Sequence, residues 1–154
     1  MLKRFGSSKG FLIIYFLVAF CIVLFLAPTV YDIFKFKLPA QSTVASFVKK
    51  MSVKDFEGAY SLYSQETKQR LQLSNLESVA YENKLESYKS LSFQNFHLLA
   101  AMSGHPELPP FTAKVDGIVF YKDNTTRPFK AVLVMENEHW VIESVKITST
   151  ASQP

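Results

Sequence analysis

Twenty consecutive residues, Phe11 to Val30, carry no charged side chain. They read FLIIYFLVAFCIVLFLAPTV and are dense in Leu, Ile, Val and Phe on every side. As a helix at ~1.5 Å per residue the run covers ~30 Å, the hydrocarbon thickness of a bilayer. It has no polar face, so it reads as a spanning helix and not as one lying on a surface. A cleaved signal peptide is the rival reading. That needs a shorter apolar core and small residues at the cleavage site, whereas Pro28, Tyr31 and Phe34 follow here. Phe20 before Cys21 is likewise too large for a lipoprotein box. The expectation is an uncleaved single-pass membrane anchor in contact with lipid, with Cys21 an apolar helix residue.

Charge assigns the two sides. Residues 1–40 hold Lys3, Arg4, Lys9, Lys35 and Lys37 against Asp32, which is +4 and equals the whole-chain net charge. The remainder is balanced, so the basic character belongs to one end of the chain. A nucleic-acid-binding domain needs a basic footprint of its own, and none is expected here. Lys3, Arg4 and Lys9 before the run outnumber Lys35 and Lys37 after it, which places the N-terminus on the cytoplasmic side and the rest of the chain outside. Cys21 is the one cysteine, so disulfides within the chain and cysteine-based zinc sites are excluded.

The organisation expected is a stub over 1–10, the span over 11–30, an extended or interfacial connector over 31–41, one domain over 42–148 and a polar tail over 149–154. Within the domain, Val44, Phe47, Val48 and Met51 make an amphipathic helical stripe after Ser42. Ser52 to Asp55 caps a second helix carrying Phe56, Ala59, Tyr60 and Tyr63, with Gly58 marking a close approach. Residues 64–73 are polar, with one short helical turn at most. Ser74 and Glu77 form a capping box for a third helix that runs to about Glu86.

Period-two patterns follow. Leu91, Phe93, Asn95 and His97 alternate with Ser92, Gln94, Phe96 and Leu98. Residues 104–110 form a Pro-rich loop. Phe111, Ala113, Val115, Val119 and Tyr121 share one face of the next strand, with Ile118 and Phe120 on the other. A polar turn leads to Phe129, Ala131, Leu133 and Met135, alternating with Val132 and Val134. Asn137-Glu138 closes a tight hairpin, and Trp140, Ile142 and Ser144 alternate with Val141, Glu143 and Val145. Short links between sequential strands give an antiparallel meander with the helices on one face. The fold class is therefore α+β: a transmembrane helix, then three helices packed on a curved four-stranded antiparallel sheet.

Several of these residues resemble the nuclear-transport-factor-2-like superfamily, the cystatin-like cone. Phe47-Val48 and the run Asp55-Phe56-Glu57-Gly58-Ala59-Tyr60-Ser61-Leu62 look like its common helices. Glu138 to Val145, with Trp140 and Ile142, looks like its closing strand. The likeness covers about residues 42–148, with one or two strands fewer than a full-length member. It implies a cone-shaped sheet, and in isomerase-like members a pocket with a base opposite a tyrosine or a protonated acid.

Possible pocket polar residues are Tyr60, His97 and Asp116, with Glu143 as a further base and Tyr63 or Tyr81 as donors. No spacing joins them. Asp116 beside Gly117 and Glu143 opposite Trp140 read more simply as solvated, and His97 as a partly buried, satisfied histidine. His97, His105 and His139 share no metal-ligand spacing. No phosphate loop, nucleophile elbow or zinc-protease motif occurs, so no cofactor and no catalytic residue are expected. Asn124-Thr125-Thr126 is a glycosylation acceptor pattern, of consequence only in a eukaryotic lumen.

Function then divides between two classes. One is a membrane-tethered extracytoplasmic module, not an enzyme, that docks on another membrane or envelope protein through Ile118, Phe120, Val132 and Val134. Its layout resembles that of inner-membrane assembly proteins of type IV secretion systems. The other is a pocket protein that binds or isomerises a small apolar molecule. Oligomeric state is not legible in the sequence.

Overall fold

The computed structural model describes residues 8–100 and 111–148. The stub before Ser8, the loop over 104–110 and the tail from 149 lie outside the described residues. The chain divides into two units, Met1–Lys35 and Phe36–Pro154.

In the first unit the uncharged run is helical, within α1 (Ser8–Asp32). The spanning helix argued from the sequence is corrected here: among the described residues no helix is long and apolar enough to cross a membrane. The single-pass arrangement and the inside–outside placement of the two ends are corrected with it. The extended connector is also replaced. α1 is followed by a π-helical turn (Ile33–Lys37) and then by α2 (Leu38–Ser52). Pro39 sits in the first turn of α2, where its missing N–H costs nothing.

The second unit is α+β, with four antiparallel strands and short helices. α2 buries Ala40, Val44, Phe47, Val48 and Met51, the expected stripe extended back by one turn. α3 (Phe56–Ser61) is capped by Asp55 instead of Ser52. The Gly58 N–H donates to Asp55 Oδ1 at 2.9 Å, and Lys50 Nζ donates to Asp55 Oδ2 at 2.7 Å. The Lys50 hydrogen bond, followed by that of the Gly58 N–H, holds the Asp55 carboxyl below the usual range. The close approach at Gly58 is to this Lys50–Asp55 pair.

The polar stretch forms α4 (Gln65–Arg70), capped by Ser64, whose Oγ accepts from the Thr67 N–H at 3.1 Å. α5 (Leu73–Glu82) starts before the expected Ser74 box, with Gln72 at the cap and no side-chain cap bond. Burial of Leu76 and Ala80, four residues apart on one face, sets its position instead. α5 ends four residues earlier than expected, ahead of Lys84, whose φ of 50° is left-handed.

The strands are β1 (Tyr88–Ala100), β2 (Phe111–Tyr121), β3 (Thr126–Glu136) and β4 (His139–Ile147), hydrogen-bonded in sequence order as an antiparallel meander. Ala113, Val115, Val119, Tyr121, Phe129, Ala131, Leu133, Trp140 and Ile142 join the helix residues in one core. Two bulges alter the alternation read from the sequence. Gln94 is left over between the pairs Phe93–Gly117 and Asn95–Asp116. One extra residue shifts the phase by half a period. Phe96 and Leu98 therefore join Leu91 and Phe93 against the core, while Asn95 and His97 turn away. Glu143 is the second extra residue, between the pairs Val132–Ser144 and Leu133–Ile142. It moves Val145 and Ile147 to the core side and Ser144 to the other.

Gly117 has a packing reason. It lies opposite Phe129, whose ring covers it and meets Phe93 edge-on at 5.9 Å. A Cβ at Gly117 would collide with the Ser92 carbonyl oxygen and the Phe129 ring.

The hairpin between β3 and β4 turns at Asn137 and Glu138, with φ of 48° and 64°. Both values suit a two-residue type I′ turn, in which Asn-Gly is the favoured pair. Glu138 carries a side chain where glycine is unstrained. Glu138→Gly is therefore expected to raise stability by ~0.5–1 kcal/mol in a denaturant titration.

Candidate functional site

Ile118, Phe120, Val132 and Val134 are brought together on the sheet face that turns away from the helices. The register places Val134 between Thr112 and Val141, and Val132 between Lys114 and Ser144. Asp116, Lys130 and Lys146 form the next row, and then Ile118 pairs with Pro128 and Phe120 with Thr126. An apolar band at one end is thus separated by a charged row from an apolar pair at the other. None of the four belongs to the core cluster, which lies on the opposite side of the sheet. Ile118, Phe120 and Val132 are half-buried. Val134 is 8% exposed, so its side chain is enclosed on its own face. Lys114, Lys130 and Lys146 are exposed and share the face with two half-buried carboxylates, Asp116 and, at the far end of β3, Glu136. The open face is therefore basic, although the domain as a whole is neutral.

The polar pocket candidates are not assembled. His97 pairs with Lys114 and Asp116 with Asn95, so both lie on the open face. His97 is exposed there and is not the partly buried histidine expected, because the Gln94 bulge rotates it outward. Tyr60 lies on the helix side, packed against the core. Its hydroxyl donates to the Lys68 carbonyl oxygen at 2.8 Å, which ties α3 to α4. Tyr81 is 83% exposed on α5. His139 is exposed at the start of β4, and His105 lies outside the described residues. Among the described residues no group of three or more His, Cys, Asp or Glu is placed to hold a metal ion.

Glu143 differs from its solvated expectation. Ser64, fully buried, donates its Oγ to Glu143 Oε2 at 2.8 Å, and Thr67 Oγ1 donates to the Glu143 carbonyl oxygen at 3.0 Å. Arg70 reaches Glu143 Oε1 at 3.5 Å and Glu66 at 2.7 Å. The bulge thus turns Glu143 toward α4. It latches α4 to β4, with Ser64 serving as helix cap and latch at once. A serine followed three residues later by Thr67 was a visible cap signal. Its partner 79 residues away was not.

A concavity lies between the helices. It is about 570 Å³, floored by Met51, Phe56 and Ala80 and rimmed by Lys54, Glu77, Tyr81 and Glu86. None of Tyr60, His97 and Asp116 lines it. The volume falls in the range of small-molecule sites.

Two buried polar atoms, Tyr121 Oη and Trp140 Nε1, have no hydrogen-bond partner among the described residues. Tyr63 is also buried, and its ring meets Phe47 edge-on at 5.4 Å. Burial pushes the Tyr63 phenol up to about 12 from 10.0. Burial disfavours the phenolate in the folded state, so the unfolded chain loses this proton first as pH rises. The contribution is complete below pH 10 and is lost as pH rises through about 12. Stability should therefore fall over that window, and Tyr63→Phe should flatten the fall. Denaturant titrations across the window provide the check.

No family model matches the chain, and no curated protein matches it. Among solved structures it is similar to Aln2 from a Streptomyces species, at 12% identity and a TM-score of 0.46, over 72% of this chain and 88% of that one.

Proposed function

We propose that residues 42–148 form a nuclear-transport-factor-2-like domain that works as a non-catalytic protein-interaction module. Its docking surface is the open sheet face. Its partner is a protein segment with aliphatic or aromatic side chains flanked by carboxylates. Helices before a four-stranded antiparallel meander, with Trp140 and Ile142 in the last strand, support the fold assignment. One observation carries the function: Ile118, Phe120, Val132 and Val134 share a face outside the core, bordered by Lys114, Lys130 and Lys146. Aliphatic anchors suit protein side chains better than nucleic-acid bases, which need aromatic platforms. The lysines supply attraction and register toward an acidic partner.

Co-purification with bound proteins tests this, using two double variants. Phe120→Ser with Val132→Ser should lose the partner while remaining folded. His97→Ala with Asp116→Asn should keep it. Loss in the polar variant alone would sink the docking reading, as would a partner that proves to be nucleic acid.

The groove of about 570 Å³ favours a second reading, a site for a small apolar molecule between α2, α3 and α5. Under that reading, a polar residue on the floor, as in Ala80→Asp, abolishes ligand binding and leaves partner binding intact.

A further inference from the structure

The two edges of the sheet are treated differently. The free edge of β4 is covered where the chain passes from α3 to α4. The Ile142 N–H donates to the Leu62 carbonyl oxygen at 2.8 Å, and the Ser64 N–H donates to the Ile142 carbonyl oxygen at 2.9 Å. Tyr63 thereby forms a parallel bridge to Ile142. The β1 edge has no such cover. β1 is 13 residues long and pairs on one side with β2. At its start the Tyr88 N–H donates to the Leu85 carbonyl oxygen; among the described residues no other hydrogen bond outside the β2 ladder reaches the strand, and none reaches residues 95–100. A strand edge of this kind presents a row of unpaired N–H and C=O groups.

Edges that must stay single carry charges, proline or a short length. β1 reads YKSLSFQNFHLLA, with Lys89 its one charged residue and no proline. Its guard is the Gln94 bulge, which divides it into two parts. The part after the bulge, residues 95–100, contains no Asp, Glu, Lys or Arg. It exposes His97 and Leu99, the latter to 47%. At ~3.3 Å per residue the whole strand spans ~40 Å, ample for several ladder hydrogen bonds on one part alone.

We propose that the free edge of β1, over residues 95–100, pairs antiparallel with the same edge of a second copy of this chain. The pairing makes one continuous eight-stranded sheet from two four-stranded ones. Identical strands meeting about a two-fold axis are self-complementary by symmetry. The antiparallel sense puts the two copies of Lys89 at opposite ends and clear of the pairing. A parallel, in-register pairing would stack them face to face at like charge. The pairing also joins the two open faces edge to edge, with Leu99 of each copy beside the junction. It does not depend on the docking proposed for that face, since it uses the backbone edge and not the side chains of Ile118, Phe120, Val132 or Val134.

The test uses the full chain and the double variant His97→Lys with Leu99→Lys. Both positions point away from the core, so the substitutions guard the edge without emptying the interior. Sedimentation over a concentration series should show a monomer–dimer equilibrium in the native chain. Its dissociation constant should rise roughly tenfold or more in the variant, from two added charges per copy at the junction. Hydrogen exchange should show the amides of residues 95–100 that point away from β2 protected at high concentration and released on dilution. Amides of β2 and β3 should stay protected in both proteins, which reports that the variant is folded. A chain that is monomeric at every concentration, with the outward-pointing amides of residues 95–100 open, overturns the proposal. So does a dimer of unchanged affinity in the variant, which would place the contact elsewhere.

Discussion

Trp140→Ala is expected to destabilise the 36–154 unit by ~3–5 kcal/mol, the usual cost of emptying a large aromatic site. Trp140 is 6% exposed and belongs to the core. Its ring meets Phe36 at 6.5 Å and 73°, and Phe36 in turn meets Phe111 at 5.2 Å. These rings close one end of the sheet beneath the start of α2, where Thr43 Oγ1 donates to the Trp140 carbonyl oxygen at 3.3 Å. The substitution removes one end of that stack and leaves a void that Phe36 cannot fill without moving. One term works in the opposite direction. Trp140 Nε1 is buried with no partner among the described residues, and such an atom costs ~1–3 kcal/mol. Trp140→Phe keeps most of the ring and removes that atom, so it should cost much less than Trp140→Ala. Two-state denaturant titrations of the variants measure both values. A loss under ~1 kcal/mol for Trp140→Ala would mean that the aromatic stack does not hold this end of the sheet.

The second large effect is on association. Phe120→Ser with Val132→Ser should weaken partner binding by ~30-fold or more, since truncating a central apolar anchor commonly costs ~2 kcal/mol or more. The two residues sit on either side of the Asp116–Lys130–Lys146 row, so the variant strips both apolar ends of the face. Because both are half-buried and outside the core cluster, the fold should survive. Lys130→Glu should act differently. It reverses the charge in the middle of the face, so it should slow association and reduce its sensitivity to salt, with a smaller change in dissociation rate. A salt-independent interaction unaffected by Lys130→Glu would remove the acidic partner from the account.

Much of this face was legible in the sequence. Strict alternation in β2 put Ile118 and Phe120 opposite Val119 and Tyr121, and antiparallel pairing then forced Val132 and Val134 onto the same side as Ile118 and Phe120. That inference needs only a period of two and a hairpin. The errors fall where one residue changes the period. Nothing in Phe93-Gln94-Asn95 marks the bulge, because it is set by pairing with Gly117 and Asp116 in another strand. His97 was consequently turned the wrong way. Glu143 was misplaced by the same mechanism, and its latch to Ser64 depends on a contact between distant parts of the chain. The helix starts failed differently. Asp55 and Ser64 make the cap bonds, whereas Ser74 with Glu77 does not, since burial of Leu76 and Ala80 outweighs a cap worth ~1 kcal/mol. The uncharged run at the N-terminus was legible as a helix. The further step to a spanning segment is the part that does not stand, since among the described residues no helix is long and apolar enough to cross a membrane.

The central claim is that the open face of the sheet is where the partner sits. Oxidative footprinting of the full chain, alone and bound to its co-purified partner, tests it at the level of single side chains. The account predicts that Phe120, Ile118 and Val132 lose reactivity on binding while Phe56 and Tyr81, at the helical groove, keep theirs. Protection of Phe56 and Tyr81 with Phe120, Ile118 and Val132 unchanged would contradict it and would move the functional site to the groove between α2, α3 and α5.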